Sequence, residues 1–503
     1  MDLFNNLILG FGVALTPMNL FLALVGCLVG TLIGVLPGIG PVATVAMLLP
    51  LTFYMEPVTG LIMLAAIFYG AQYGGSTTAI LVNLPGESSA VVTCLDGHQM
   101  ARNGRAGAAL TIAALGSFFA GTVATILICI ASPPLSEVAM RFGAPEYFAL
   151  MVLGLIAAVV LASGSLIKAI AMILLGLLLG LVGTDGNSGG TRFTFGLNVL
   201  ADGIDFVPIA IGIFGLGDII ANLAKSDEER TVVASKISSL WPTREEFWRS
   251  VPASLRGTAL GSVLGILPGG GATLSAFAAY ALEKKLSRHP EQFGKGAVEG
   301  VAGPESANNA GAQTSFIPML TLGIPGNAVM ALMVGAMMIH GIQPGPAVMT
   351  EKPQLFWGLI VSMWIGNLML LVINLPMIGL WIQLLRVPYK LLYLAILVFC
   401  LIGVYSIKNN PFDVLVAGFF GVLGYLFIRL KCEGAPLLLG FVLGPLMEEN
   451  LRRAMRISGG DPMIFVNRPI CLGLLIASAL LVLMVALPAI SATREEAFKE
   501  EGG

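Results

Sequence analysis

Long apolar runs separated by short polar stretches fill most of this chain. Runs of membrane-spanning length occur near residues 107–131, 147–163, 166–183, 206–224, 355–382, 391–407, 412–430 and 469–489. Each predicts a helix, because a segment in lipid must satisfy its own amides and carbonyls. Two more apolar runs are interrupted at their centres: Gly30-Thr31-Leu32-Ile33-Gly34-Val35-Leu36-Pro37-Gly38-Ile39-Gly40, and, 231 positions later, Gly261-Ser262-Val263-Leu264-Gly265-Ile266-Leu267-Pro268-Gly269-Gly270-Gly271. Without the Pro and Gly either run would read as one crossing; with them, a helix break inside the bilayer is expected. The pattern predicts an all-α polytopic membrane protein with about ten to twelve crossings.

The repetition extends beyond the broken runs. Gly70-Ala71-Gln72 returns as Gly311-Ala312-Gln313 and Leu84-Pro85-Gly86 as Ile324-Pro325-Gly326, at shifts of 241 and 240. The second copy has gained residues between its two elements, where Glu283-Lys284-Lys285-Leu286-Ser287-Arg288-His289 reads as a polar, solvated insertion. Two homologous halves follow: an N-terminal transmembrane repeat over 1–225, a solvated linker over 226–250, a C-terminal transmembrane repeat over 251–490 and a charged tail over 491–503. Loop charges orient the halves. Residues 51–60 hold no Lys or Arg, whereas the equivalent later stretch carries Lys284, Lys285, Arg288 and Lys295; beyond Pro85-Gly86 come Arg102 and Arg105, but beyond Pro325-Gly326 no basic residue occurs before Lys352. Since Lys and Arg collect on the cytoplasmic side, equivalent loops are expected on opposite faces, as inverted-topology repeats require. Parallel repeats are the alternative.

Composition agrees and excludes several classes. The chain of 503 residues is 56% hydrophobic and 11% charged, with a mean hydropathy of +0.88, outside the range of soluble domains. A net charge of −2 offers no basic stripe for nucleic acid. The six cysteines are scattered singly and read as core filling. The start, Met1-Asp2-Leu3-Phe4-Asn5-Asn6, lacks the basic region of a secretory signal and is expected to be retained. His98, His289 and His340 lack metal-ligand spacing, and no Gly-rich segment ends in the Lys-Ser/Thr of a phosphate loop. No cofactor is expected.

The broken runs carry the candidate chemistry. A helix restarting at mid-membrane turns free amides and its positive dipole end toward whatever lies there, a setting suited to a carboxylate. Gly38, Ile39 and Gly40, with Gly269, Gly270 and Gly271, would present that backbone, and Thr44 and Ser275 would add hydroxyls one turn on. The second pair of elements, with Asn83, Pro85 and Gly86 answered by Pro325, Gly326 and Asn327, would complete the substrate site. Ser76, Asn308, Asn309, Gln313 and Thr314 supply oxygens suited to Na⁺; helix-helix hydrogen bonding is the competing role. An organic anion entering against 100 mV is opposed by roughly 2.3 kcal/mol per charge. Neither broken run holds Lys or Arg, so a cotransported cation, Na⁺ or H⁺, is the expected counter-charge. Arg102 and Arg105 read as positive-inside anchors, and Asp202 and Asp205 as hydrated loop carboxylates.

The motifs Gly34-Val35-Leu36-Pro37-Gly38-Ile39-Gly40-Pro41, Leu48-Leu49-Pro50-Leu51-Thr52-Phe53, Tyr69-Gly70-Ala71-Gln72-Tyr73-Gly74-Gly75-Ser76, Asn83-Leu84-Pro85-Gly86, Asp96-Gly97-His98-Gln99-Met100-Ala101-Arg102, Arg192-Phe193-Thr194-Phe195-Gly196, Asp202-Gly203-Ile204-Asp205-Phe206 and Gly303-Pro304-Glu305-Ser306-Ala307-Asn308-Asn309, in this order over nearly the whole chain, resemble the large membrane subunit of the tripartite tricarboxylate transporters. The resemblance implies a multi-pass carrier of carboxylates such as citrate in the bacterial inner membrane, driven by a cation gradient. It also implies a small four-helix membrane subunit and a periplasmic solute-binding protein as partners. The chain departs at His98-Gln99, where the family pattern leads one to expect an aromatic followed by proline. A passive anion channel is the competing reading. An intramembrane enzyme acting on lipid or peptide would need a nucleophile-base pair or metal cluster that the apolar regions do not offer.

Overall fold

The computed structural model describes residues 3–36, 40–161, 165–185, 188–223, 240–267, 271–384 and 389–486. The first half holds α1 (Leu3–Ala14), α2 (Pro17–Val35), α3 (Pro41–Thr52), α4 (Pro57–Val82), α5 (Val91–Met100), α6 (Ala106–Ala139), α7 (Ala144–Leu161), α8 (Leu166–Gly180), α9 (Phe206–Ala210) and α10 (Gly217–Leu223). The second holds α11 (Arg244–Ile266), α12 (Gly271–Leu286), α13 (Glu299–Thr314), α14 (Phe316–Leu322), α15 (Ala328–Ile339), α16 (Ala347–Glu351), α17 (Pro353–Asn374), α18 (Ile378–Leu384), α19 (Tyr389–Lys408), α20 (Pro411–Arg429), α21 (Gly434–Ile457), α22 (Ile464–Asn467) and α23 (Pro469–Ala486). The strands among the described residues, β1 (Gly183–Thr184) and β2 (Thr191–Arg192), form one short antiparallel hairpin. The protein is all-α. Among the described residues, five helical stretches, including α2, α4, α17 and α20, are long and apolar enough to cross a membrane, and shorter apolar helices accompany them.

Local signals set the helix ends. Proline opens α2, α3, α4, α17 and α20, where its missing N–H has no helical acceptor to lose. Thr243 and Glu246 form a capping box at α11, so helix already begins at Arg244, inside the stretch expected as linker. Asn83 (φ 60°) ends α4 in the left-handed region and Gly323 (φ 74°) ends α14 likewise; 83 and 323 differ by 240, the shift seen in the sequence.

Close helix contacts repeat at the same spacing. A Cβ placed on Gly26, Gly30 or Gly34 of α2 would strike the carbonyl oxygen of Met63, Ile67 or Ala71 on α4; one placed on Gly257, Gly261 or Gly265 of α11 would strike that of Gly303, Ala307 or Gly311 on α13. Glycine lets these parallel backbones approach until the missing side chain is the contact surface. Each broken run folds into a hairpin that returns to where it started. Thr59 donates to Asn19 at 2.6 Å, and Gly60 abuts Thr52, so α2 begins and α3 ends beside the first turn of α4. In the second copy Arg249 pairs with Glu299 at 2.8 Å and Arg256 with Glu283 at 2.5 Å, so α11 begins and α12 ends beside the start of α13.

Helix α4 runs antiparallel to its equivalent, α13 continued by α14: Ser76 meets Glu305 of α13 at 2.6 Å, and further along Tyr69 meets Phe316 of α14 with ring centroids 6.0 Å apart. One end of the bundle gathers Tyr54, bonded to the Ser406 carbonyl at 2.5 Å, and Asp205, paired with Lys408 at 2.7 Å. The other gathers Arg105 on Glu246, and Asp96 on the loop before α13.

The structure differs from the sequence expectation in three places. Glu283 is not part of a solvated insertion: α12 runs to Leu286, and Glu283 is buried against Arg256. An Arg256→Ala variant should lose stability and Arg256→Ala/Glu283→Gln should recover part of it, since a buried carboxylate stranded without its cation is the costlier state; equal thermal shifts in the two variants would contradict this. The run near 355–382 is not one span, because α17 ends at Asn374 ahead of Pro376. Finally, α21 was hidden in the sequence because Glu448, Glu449, Arg452, Arg453 and Arg456 fill its second half.

Candidate functional site

Both helix breaks are present. Leu36 leaves α2 in extended backbone (φ −89°, ψ 107°) and Gly40 enters α3 likewise (φ −78°, ψ 171°); Leu267 leaves α11 extended (φ −75°, ψ 129°), and Gly271 opens α12 at φ +46°. Gly38, Ile39, Gly269 and Gly270, together with Pro37 and Pro268, lie outside the described residues. Thr44 and Ser275 are equivalent in geometry as well as sequence. The Thr44 hydroxyl donates to the Gly40 carbonyl at 3.0 Å and the Ser275 hydroxyl to the Gly271 carbonyl at 2.7 Å, so each is turned back on its own first turn.

The second elements pack against the hairpins. Gly86 is wedged between the Gly34 carbonyl and Gly75, with no room for a side chain. Asn83 is exposed and Pro85 half-buried; Pro325 and Gly326 are buried, and Asn327 caps α15 by accepting from the Met330 amide at 2.9 Å. The two copies touch at the hairpin tip, where the Ser88 and Thr273 hydroxyls lie 3.0 Å apart. Thr273 is in the first turn of the restarted helix α12, and Ser88 follows Pro85-Gly86 by two residues.

Behind this contact lies a buried polar cluster. Glu305 on α13, 1% exposed, accepts from Ser76 of α4 at 2.6 Å and from Thr93 of α5. Glu87, 8% exposed, accepts from Ser89, and the Asn308 amide nitrogen approaches the same oxygen at 3.4 Å. Ser89 also lies 3.4 Å from the Gln72 amide oxygen. Of the residues expected to offer oxygens to Na⁺, Ser76 and Asn308 join this cluster. Asn309 bonds Ser117 at 2.7 Å, Gln313 accepts from Thr125 at 2.7 Å, and Thr314 bonds the Ala310 carbonyl at 3.0 Å against α11. Sequence reasoning assigned no role to Glu87 or Glu305. The available signal was their charge within small-residue, intramembrane-like stretches, where an ionisable side chain is a functional candidate by default.

Two of the remaining polar candidates are paired. Arg105 binds Glu246, and Asp205 binds Lys408. At the β hairpin a cavity of about 560 Å³ is lined by Asp185, Arg192, Glu448 and Arg453 among others; Arg192 pairs with Asp185 at 2.6 Å and with Glu448 at 2.9 Å. The Arg192 hydrogen bonds hold the Glu448 carboxyl below the usual carboxylate range.

Paired broken hairpins, each packed on a long buried helix, with buried acids between them, define a polytopic membrane transporter. The comparisons agree: a profile of the tripartite tricarboxylate transporter TctA family matches residues 20–439, and the chain belongs to that family. It is 61% identical over 501 residues, across the whole of both chains, to an Agrobacterium vitis protein described as an uncharacterized 52.8 kDa protein in the TAR-I ttuC′ 3′ region. It is also 60% identical over 241 residues to a protein of the same organism described as an uncharacterized protein in the TAR-II ttuC′ 3′ region, a match covering 48% of this chain and all of that one. No solved structure matches.

Proposed function

We propose that the chain is the large membrane subunit of a cation-coupled secondary transporter in the bacterial inner membrane. It imports small di- or tricarboxylates such as citrate with a small membrane subunit and a periplasmic solute-binding protein. The observation that carries this reading is the antiparallel pairing of α4 with its 240-shifted counterpart, α13 continued by α14, each holding a broken hairpin at its own start. That arrangement supports inverted-topology repeats, in which two half-spanning hairpins approach one central site from opposite sides. The restarted helices α3 and α12 would turn their amides toward the anion, with Gly38, Ile39, Gly40, Gly269, Gly270 and Gly271 as the binding backbone, Thr44 and Ser275 holding the first turns, and Asn83, Pro85, Gly86, Pro325, Gly326 and Asn327 closing the site. Na⁺ or H⁺ would offset the anion's charge.

Uptake of radiolabelled citrate into vesicles containing the chain and its two partner subunits tests this directly. Uptake that concentrates the label and collapses when the Na⁺ and H⁺ gradients are dissipated is the expected result; equilibration without concentration would make the protein a passive channel. Topology has its own test. Single cysteines at Gly60 and Lys284 should react with an impermeant maleimide from opposite sides of the membrane, and reaction from one side would end the inverted reading.

A further inference from the structure

The acids Glu87 and Glu305 take no part in the anion site. We propose that they form the coupling-ion site and that the ion is a proton held by this carboxyl pair; the proposal rests on the transport reading above and specifies its cation. Three elements build the site in register. From α4 come Gln72 and Ser76, from α13 Glu305 and Asn308, and from the segment running into the first turn of α5 Glu87, Ser89 and Thr93. Residues three or four apart share a helix face, so each helix aims two polar groups at the same place.

No Lys, Arg or His is ion-paired with either acid among the described residues. The titratable groups facing them are each other, Tyr73 and Cys94, and the Tyr73 hydroxyl is committed to Asn367 at 2.8 Å. Two carboxylates buried without a cationic partner cannot both keep their charge cheaply, and taking up a proton on one of them relieves the conflict. A second observation points to the same atom. The Asn308 amide oxygen is fully buried without a hydrogen-bond partner, while its nitrogen lies 3.4 Å from Glu87. Turning the amide over sets its oxygen against the Glu87 oxygen, two acceptors that can bond only if Glu87 carries a proton.

Glu305 borders a cavity of about 20 Å³ with Tyr73, Ser76 and Ser117, room for about one water that could pass a proton to it. The hydroxyls of Ser76, Thr93 and Ser89 donate to the two carboxyls. The transported event is one O–H bond formed from water on one side and broken to water on the other, with no electron moved. Because Ser88, which touches the α12 tip, lies between Glu87 and Ser89, loading the proton is felt where the substrate hairpin meets the other repeat.

Infrared difference spectroscopy of the full chain in nanodiscs, titrated with pH, reads the carboxyl protons without any transport assay. Wild type should show a protonated-carboxyl C=O band near neutral pH that is equally strong in sodium chloride and in choline chloride, and Glu87→Gln/Glu305→Gln should lose it. Persistence of the band in the double variant, its absence from wild type, or its loss on adding Na⁺ would each overturn the proposal. If the double variant is not monodisperse, the single variants Glu87→Gln and Glu305→Asp serve, with loss or displacement of the band expected. A normal band in a protein that fails to concentrate citrate would sink the transport reading while leaving this site intact.

Discussion

Gly261→Ala should strip the protein of much of its stability although it adds a single methyl group. The new Cβ would sit inside contact distance of the Ala307 carbonyl oxygen and of the Ala307 Cα. A backbone oxygen cannot rotate away as a side chain would, so α11 and α13 must separate. Overpacking of this kind costs about 1–3 kcal/mol, and separation also weakens the neighbouring contacts at Gly257 and Gly265. Gly30→Ala should behave alike, since the Ile67 carbonyl stands in the same place. By contrast Gly418, mid-helix in α20, has open space where a Cβ would lie, with no atom within 4 Å, and Gly418→Ala should be neutral or stabilising by up to about 1 kcal/mol. The fraction of detergent-solubilised protein remaining monodisperse after a temperature ramp measures all three, and indifference at Gly261 would mean the helix pair is looser than described.

Asp96→Ala should be nearly as damaging, and Asp96→Asn far milder. One carboxylate oxygen of Asp96 accepts from the amides of Gly294, Gly296 and Ala297 at 2.9, 2.8 and 2.8 Å, while the other takes the Tyr280 hydroxyl at 2.9 Å. The side chain therefore ties α5 of the first half to the basic loop and α12 of the second. Hydrogen bonds to a charged group contribute about 1.5–3 kcal/mol each, and alanine removes all of them together. Asparagine retains an oxygen for the three amides and can turn its NH₂ toward Tyr280, whose hydroxyl also accepts. Protease accessibility of the loop around Lys295 should accordingly rise strongly in the alanine variant and little in the asparagine one; equal exposure would show that the charge itself is required.

Much of the fold was legible before any coordinates. The apolar runs correspond to α6, α7, α8, α17, α19, α20 and α23, and α2 and α11 end at Val35 and Ile266, two positions ahead of Pro37 and Pro268 in the sequence, because a lipid-facing helix advertises its length and a proline its interruption. α21 was not legible, since its charged second half breaks the apolar pattern that marked the others. Glu283 misled for the opposite reason: beside Lys284 and Lys285 it reads as solvated, and only its contact with Arg256 across the hairpin buries it. In the candidate site, the equivalence of Thr44 and Ser275 was legible from repetition alone. The cluster of Glu87 and Glu305 was not, because its members are 218 residues apart and share no local motif.

By itself the sequence determined the class of this protein, its duplicated broken hairpins and its family, since hydropathy, proline and repetition are properties of neighbouring residues. Which groups face one another was decided only by tertiary structure. The antiparallel meeting of α4 with α13 and α14, the Ser88–Thr273 contact and the sheltering of two carboxylates by hydroxyls from α4 and the segment running into α5 all depend on helices brought together by glycine-sized gaps, and such distances are not written in any local pattern.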